Sequence, residues 1–403
     1  MSFSKINKTV CLFSSQSNSS FIYNEVEQLS ENFEHVYLII MNTDSYPFKL
    51  QLNVKLVILN YDHYSSIKTL KSNLFYFLNI IFLDVMHSPI LLFRFKILKA
   101  NLSALLRNFY ISESILRLPF LSNDCVLYTF WFDEWATNLS ILKKRNKIKN
   151  YMSLAHGFDI YEERTPDTKK IAFRWFQLKY VNRVYSVSKI GEDYLKNRYP
   201  QYADKIKTAY LQTNYKGRNK LSAGTNTILT CANFHLVKRL NLIPEILKHI
   251  NIEITWILIG QMNNDDENVR KFLNEVEVVC KNYPLVQIKI MGELSNEDVF
   301  DFYLKNSVNV LLSVSQSEGL PVSMMEAISF GVPIIGTNVG GCSEIINDST
   351  GILIDKDINP KEVSEIIMRF FSSNKNTEEF RNGVFNFWKE NFSKNEFKFL
   401  SKF

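Results

Sequence analysis

Between Gly319 and Ser343 the chain carries one charged side chain, Glu326, and this stretch limits the folds open to it more than any other. It reads as a buried strand over Val308 to Val314, a polar loop, a helix, a second apolar strand from Val332 to Gly336 and a glycine turn. Pro321 stands where the helix would begin and Gly331 where it would end, the usual asymmetry of proline at the first helical position and glycine just past the last. A lone carboxylate in an apolar helix packed on a sheet must find hydrogen-bonding partners or lose its charge. Glu318 lies eight positions earlier, at the mouth of the same helix. Both carboxylates can line the crevice at the carboxyl ends of parallel strands, where open α/β sheets bind ligands. On spacing alone they could instead do no more than complement the positive end of the helix.

The same alternation runs along the rest of the chain. A strand from Thr9 to Phe13, the loop SSQSNSS, a helix from Phe21 to Asn32 and a strand from Val36 to Met41 make a βαβ unit. Strands follow at Val54 to Leu59, Cys125 to Phe130, Tyr151 to Leu154 and Arg183 to Val187, with Ser188 placed to cap a helix from Lys189 to Arg198. The polar run Gln212 to Thr225 is the best linker. Beyond it the pattern restarts with a strand at Thr227 to Ala232, a helix from Leu240 and strands at Thr255 to Gly260 and Val286 to Met291. The expected fold is α/β, with two Rossmann-like domains whose parallel sheets face an interdomain cleft. The expected boundaries are 1–212, a linker at 213–225, 226–385, and a C-terminal helix at 386–403.

A chain of 403 residues exceeds one ordinary core, which agrees with two domains. Its five cysteines have no paired spacing and read as reduced thiols of a cytoplasmic protein. The amino-terminal apolar run is too short for a signal peptide, and no eighteen-residue apolar stretch predicts a membrane span. The net charge of +6 is uneven. Residues 67–120 hold seven basic side chains against Asp84 and Glu113, in a segment rich in Phe, Leu and Ile. With no nucleic-acid motif present, this points to peripheral contact with an anionic membrane; an ordinary core helix with a solvated basic neighbour is the other reading.

The run E-G-L-P-V-S-M-M-E from Glu318 to Glu326, followed by A-I-S-F-G-V-P-I-I-G-T-N-V-G-G, resembles the E-x7-E signature of retaining family 4 glycosyltransferases. The resemblance covers most of the second half and Tyr151 to Pro200, and is thin before residue 120. It implies the GT-B architecture, an acceptor-binding first domain, a nucleotide-sugar-binding second domain and a last helix that crosses back onto the first. It implies that Glu318 contacts the donor sugar and Glu326 the ribose hydroxyls. The backbone of Gly319, Leu320, Pro321 and Val322 would lie by the sugar and phosphates, Pro321 offering no N–H. The family's R-L-x-x-x-K loop corresponds to NFHLVKRLN, where Asn233 takes the Arg position and Lys238 keeps the Lys. Gly292 falls where the base approaches backbone.

In the first half, H-G-F-D-x-Y-E-E is similar to members that assemble bacterial polysaccharides, and implies that His156 contacts the donor sugar near the reaction centre. Ser15, Trp131, Asp159, Tyr161 and Glu162 are acceptor-side candidates, with interdomain packing as the other reading for Trp131. The implied catalytic residues are His156, Glu318 and Lys238. The implied activity is metal-independent hexosyl or N-acetylhexosaminyl transfer with retention. The donor would be a UDP or GDP sugar, bound as substrate with no separate cofactor. The acceptor would be a glycan or a polyprenyl-linked one at the inner face of the cell membrane. Two other readings of the same fold are a nucleotide-sugar epimerase and a catalytically silent partner subunit. Asp355-Lys356-Asp357 spells a DxD metal motif, but the following Asn-Pro makes it an exposed turn.

Overall fold

The computed structural model describes residues 6–15, 20–41, 49–60, 64–122, 124–165, 170–222 and 224–393. The loop after Ser15 and the chain beyond Ser393 thus lie outside the described residues. The chain divides between Ala209 and Tyr210 into two compact units, each built on a parallel sheet.

The first sheet holds β1 (Ile6–Ser14), β2 (Phe33–Met41), β3 (Val54–Leu59), β4 (Val126–Thr129), β5 (Met152–Ala155), β6 (Arg183–Ser186) and β7 (Ile206–Thr208) in the order β3-β2-β1-β4-β5-β6-β7. All its pairings are parallel. The second holds β8 (Thr227–Cys231), β9 (Ile254–Ile259), β10 (Val286–Gly292), β11 (Val310–Ser313), β12 (Ile334–Thr337) and β13 (Gly351–Ile354) in the order β10-β9-β8-β11-β12-β13, again all parallel. Each order reverses once, between β1 and β4 and between β8 and β11. Connections leave these neighbours in opposite directions and open a crevice at their carboxyl ends.

Covered on both faces, the central strands need no polar side: β4, β5 and β12 are buried throughout. The edge strand β10 alternates exposed positions with buried or half-buried ones instead. Ser188 caps its helix as its position implies, its hydroxyl accepting from Gly191 N at 3.1 Å. Pro321 stands one place earlier than expected, at the cap of helix Val322–Ser329. Gly331 takes the left-handed conformation (φ +77°) that closes that helix, a region most side chains avoid.

Between β3 and β4 the chain crosses over through helices Ser66–His87 and Phe95–Leu116, joined by the 3₁₀ turn Pro89–Phe93. Together they pack against helix Arg174–Tyr180 of the same unit.

Residues 213–225 are fastened to the second unit instead of hanging free. Asn219 is 1% exposed. Its amide nitrogen donates to the carbonyls of Tyr303 and Asn306, and its oxygen accepts from Val308 N at 3.2 Å and an Arg381 guanidinium nitrogen at 2.6 Å. Helix Glu378–Asn391 packs within this unit too: Trp388 Nε1 donates to Thr213 Oγ1 at 2.8 Å, and Thr213 N to Phe392 O at 3.0 Å. The remainder of the expected crossing helix is beyond the described residues. Asn219→Ala leaves a backbone N–H, two carbonyls and a guanidinium short of partners, so it should destabilise the second unit by roughly 2–4 kcal/mol. Urea unfolding followed by tryptophan fluorescence reads this, and an unchanged midpoint would show that the segment is held some other way.

Candidate functional site

In the second unit, Lys238 follows β8 and Glu318 follows β11, the two strands astride the reversal. The intervening turns are tied by the amide of Gln316, which donates to the Val237 carbonyl at 2.7 Å. The result is an ion pair, Lys238 Nζ to Glu318 Oε1 at 2.6 Å, with the lysine 29% and the glutamate 9% exposed. Lys238 ends the short 3₁₀ turn Leu236–Lys238 and is not at a helix start; helix Leu242–Leu247 begins later than the pattern implied. Its neighbour Arg239 is committed elsewhere. Its Nε and Nη1 donate to the carbonyls of Val314 and Lys356, both at 2.7 Å, which leaves Lys238 as the cation of this loop.

Glu318 is positioned by the glycine turn after β12. Gly340 has φ +52°, and a Cβ there would come within 2.0 Å of the Glu318 carbonyl oxygen. Gly341 N donates to Gly319 O at 2.7 Å. Leu320 and Pro321 are buried beneath the turn, and Val322 opens a helix with no side-chain cap at its amino end. The first amides of such a helix have no intrahelical acceptor and face the crevice with a partial positive charge.

One turn in, Glu326 is 9% exposed and, among the described residues, receives no hydrogen bond on its carboxylate. Burial pushes its carboxyl up to about 7. Asn233, at the end of β8, is exposed; its oxygen accepts from Gln261 N at 2.9 Å, which orients its amide nitrogen as a free donor. Gly292 ends β10 with φ +74° and open space where a Cβ would go, so backbone conformation and not crowding calls for glycine.

The first unit repeats the arrangement at its own reversal. The Ser15 hydroxyl, after β1, donates to the Asp133 carboxylate, after β4. Asp133 also caps helix Glu134–Lys144 through Trp135 N, and burial raises its carboxyl to about 7. His156 follows β5. Its ring lies 4.1 Å from that of Trp131 and 4.9 Å from that of Phe130, and burial lowers it to about 3, so the imidazole is neutral. Both ring nitrogens lack a hydrogen-bond partner among the described residues.

Two of the expected acceptor-side acids are engaged in holding this loop, not open to a ligand. Asp159 accepts from His156 N at 2.6 Å and Phe132 N at 2.8 Å, fixing the turn that presents the histidine. Glu162 is 3% exposed and takes Arg198 Nε at 2.7 Å, Lys170 Nζ at 3.2 Å and the Tyr199 hydroxyl. Trp131, 5% exposed, packs against His156 and Phe158 and is too covered for an open stacking platform. Tyr161 is half-buried, its ring edge-on to Tyr194. Sequence reading missed Arg174, which is 1% exposed, donates to Asp159 O at 2.5 Å and lies 3.7 Å over the Phe132 ring. Nothing in its local pattern marks it. The DxD run forms a turn in which Asp357 N donates to Asp355 Oδ1 at 2.8 Å.

The second unit is thus doubly wound, with a cation–carboxylate pair at its strand reversal and, next in the chain, a helix without a side-chain cap that holds a buried carboxyl. Residues 212–386 match the family model described as glycosyl transferases group 1. The GtfA subunit of a UDP-N-acetylglucosamine–peptide N-acetylglucosaminyltransferase from Streptococcus agalactiae is 31% identical over 36% of this chain and 28% of its own length. The O-antigen biosynthesis glycosyltransferase WbnH of Escherichia coli is 33% identical over 22% of each. The chain thus spans about a quarter of the length of these relatives. Anabaena HepE, solved in complex with UDP, superposes with a TM-score of 0.69 over 96% of both chains at 10% identity. The fold is therefore GT-B, and the match to the glycosyl transferases group 1 lies within its second unit.

A carboxyl whose folded value exceeds the unfolded one supports the fold while protonated and loses that support as it ionises. For Glu326 the loss runs from about 4.5 up through about 7. Glu326→Gln should therefore stabilise the unliganded protein at pH 8 by up to about 3 kcal/mol and leave it unchanged at pH 4. Thermal unfolding at both pH values checks this; equal gains at both would remove ionisation as the cause.

Proposed function

We propose that the chain transfers a sugar from a nucleoside-diphosphate sugar to a hydroxyl of a glycan or lipid-linked acceptor, with retention of configuration and without a metal ion. The observation that carries the reading is the Lys238–Glu318 pair at the reversal of the second sheet, beside an uncapped helix and a buried carboxyl with no partner. The group 1 match and the UDP-bound fold neighbour support a nucleotide-sugar donor. The O-antigen relative supports a place in surface-polysaccharide assembly, at the cytoplasmic face where nucleotide sugars are used.

In this reading the ion pair is a placeholder. An incoming pyrophosphate takes Lys238, and Glu318 is released toward the sugar hydroxyls. Glu326 ionises to accept from the ribose hydroxyls, and Asn233 Nδ2 and the amides of Gly319, Leu320 and Val322 complete the anion site. The base lies by Gly292. As the bond from the anomeric carbon to the β-phosphate oxygen breaks, negative charge grows on the phosphate. Lys238 and the helix amides stabilise it, in the manner that usually provides the largest single catalytic effect. The acceptor oxygen bonds to the same face of that carbon, and its proton passes to the leaving phosphate. His156, neutral and held by Asp159, hydrogen-bonds the sugar.

Three outcomes test this. UDP or GDP, at a hundred times its dissociation constant, should stabilise the protein by about 2.7 kcal/mol, seen as a raised melting temperature. Lys238→Ala should lower kcat for donor turnover with acceptor by roughly 10²–10³-fold, the size of a lost oxyanion donor. Unchanged kcat would remove Lys238 from the chemistry. Activity should also survive EDTA, and its loss with recovery on adding Mg²⁺ would overturn metal independence.

A further inference from the structure

The crossover helix Ser66–His87 is built inside out. The residues it buries against its own unit are Thr69, Asn73, Phe77, Ile80 and Asp84, three of the five polar. These are tied in: Asp84 accepts from Phe173 N at 2.9 Å and from Asn101 Nδ2 at 3.5 Å, and Asn73 donates to Thr69 O at 3.0 Å. The opposite face carries Leu74, Phe75, Leu78, Phe82 and Met86, all exposed, with Phe75 at 75% and Phe82 at 65%. A helix on a water-facing surface has the reverse pattern. The ridge continues through the turn Pro89–Phe93 into the next helix, where Phe93 is 81% and Phe95 77% exposed. Ten of the chain's twenty large exposed apolar side chains among the described residues fall between Ile67 and Phe95, so this is a concentrated patch and not the usual scatter.

Its charge is one-sided. From 66 to 107 the exposed ionised side chains include Lys68, Lys71, Arg94, Lys96 and Lys99, while the segment's lone acid, Asp84, is buried and engaged. Lys68 and Lys71 also border a shallow pocket with Ser65, Ile67 and Ser72 at the ridge's start. Among the described residues no helix is long and apolar enough to cross a membrane.

We propose that this helical hairpin is a docking surface for an anionic bilayer, its aromatic ridge lying in the plane of the interface with Phe75, Phe82 and Phe93 among the acyl chains and the lysines at the headgroups. A lipid surface answers both halves of the observation: acyl chains take the apolar ridge, and anionic headgroups take a rim with no exposed acid. The docking does not depend on sugar transfer and is measured without it.

The test is sedimentation of the full chain with vesicles of phosphatidylglycerol and phosphatidylcholine, or of phosphatidylcholine alone, at 0.1 M salt. The chain should partition onto the anionic vesicles. Phe75→Ser/Phe82→Ser/Phe93→Ser should lower that partition by roughly tenfold or more, since insertion scales with buried apolar area. Lys68→Gln/Lys71→Gln/Lys96→Gln/Lys99→Gln should abolish the preference for anionic lipid. Both variants should melt with the wild type, since the altered side chains are exposed, and Leu285→Ser, an exposed apolar site in the second unit, should bind normally. Failure of the wild type to bind, or equal binding by the variants, overturns the proposal. So does a dimer in lipid-free solution that the triple serine variant dissociates, which would make the ridge an interface between copies of the chain.

Discussion

A parallel sheet whose strand order reverses cannot fill the crevice at the reversal with its own connections, and the Lys238–Glu318 pair is how this chain occupies it. The two residues meet because β8 and β11 are neighbours in space though far apart in sequence. Arg239, Gln316 and the Gly340–Gly341 turn brace the loops that bear them. Either residue alone would be a partly covered charge without a counterion, and the ion pair relieves that.

The buried carboxyls fall into two kinds, separated by where their lone pairs go. Asp159 accepts from two backbone amides, and Glu162 from two cations and a phenol; these groups hold the chain in place. Glu326 is buried with no donor to it among the described residues. That arrangement is unfavourable in the unliganded protein, since desolvation without compensation destabilises the charged form. It stands on a helix whose other buried residues include Met324, Met325, Ala327 and Ile328. Asp133 lies between the two kinds, sharing its oxygens between an amide and the hydroxyl of Ser15.

What was legible in the sequence was what depends on a few consecutive residues. The Ser188 cap, the left-handed glycine at 331 and the apolar central strands are local matters, and each stands where the pattern put it. Of the residues singled out in the second half, the fold pairs Lys238 with Glu318 and buries Glu326 one turn into the helix that follows. What escaped was decided by distant partners. Asp159 and Glu162 look available beside His156 until Phe132 N and the Arg198 and Tyr199 side chains are brought against them. Lys238 and Arg239 are alike as adjacent cations, and only the family resemblance separates them in sequence; in the fold, the carbonyls of Val314 and Lys356 hold Arg239. The polar run 213–225 reads as solvated linker because composition cannot reveal that Asn219 serves four partners in a buried niche.

The crossover helix shows the same limit from the other side. Its hydrophobic periodicity is genuine, but periodicity says only that one face wants to leave water, not which neighbour will receive it. The orientation was set by tertiary bonds to the polar face, chiefly Asp84 to the amide of Phe173 and Asn73 to Arg145. With those made, turning the helix to bury Phe75 and Phe82 would break these bonds and leave the buried Phe173 N–H without its acceptor. The inverted face is therefore specified by the fold and not left over from it. The fold thus holds an apolar ridge outward, with no exposed acid from 66 to 107.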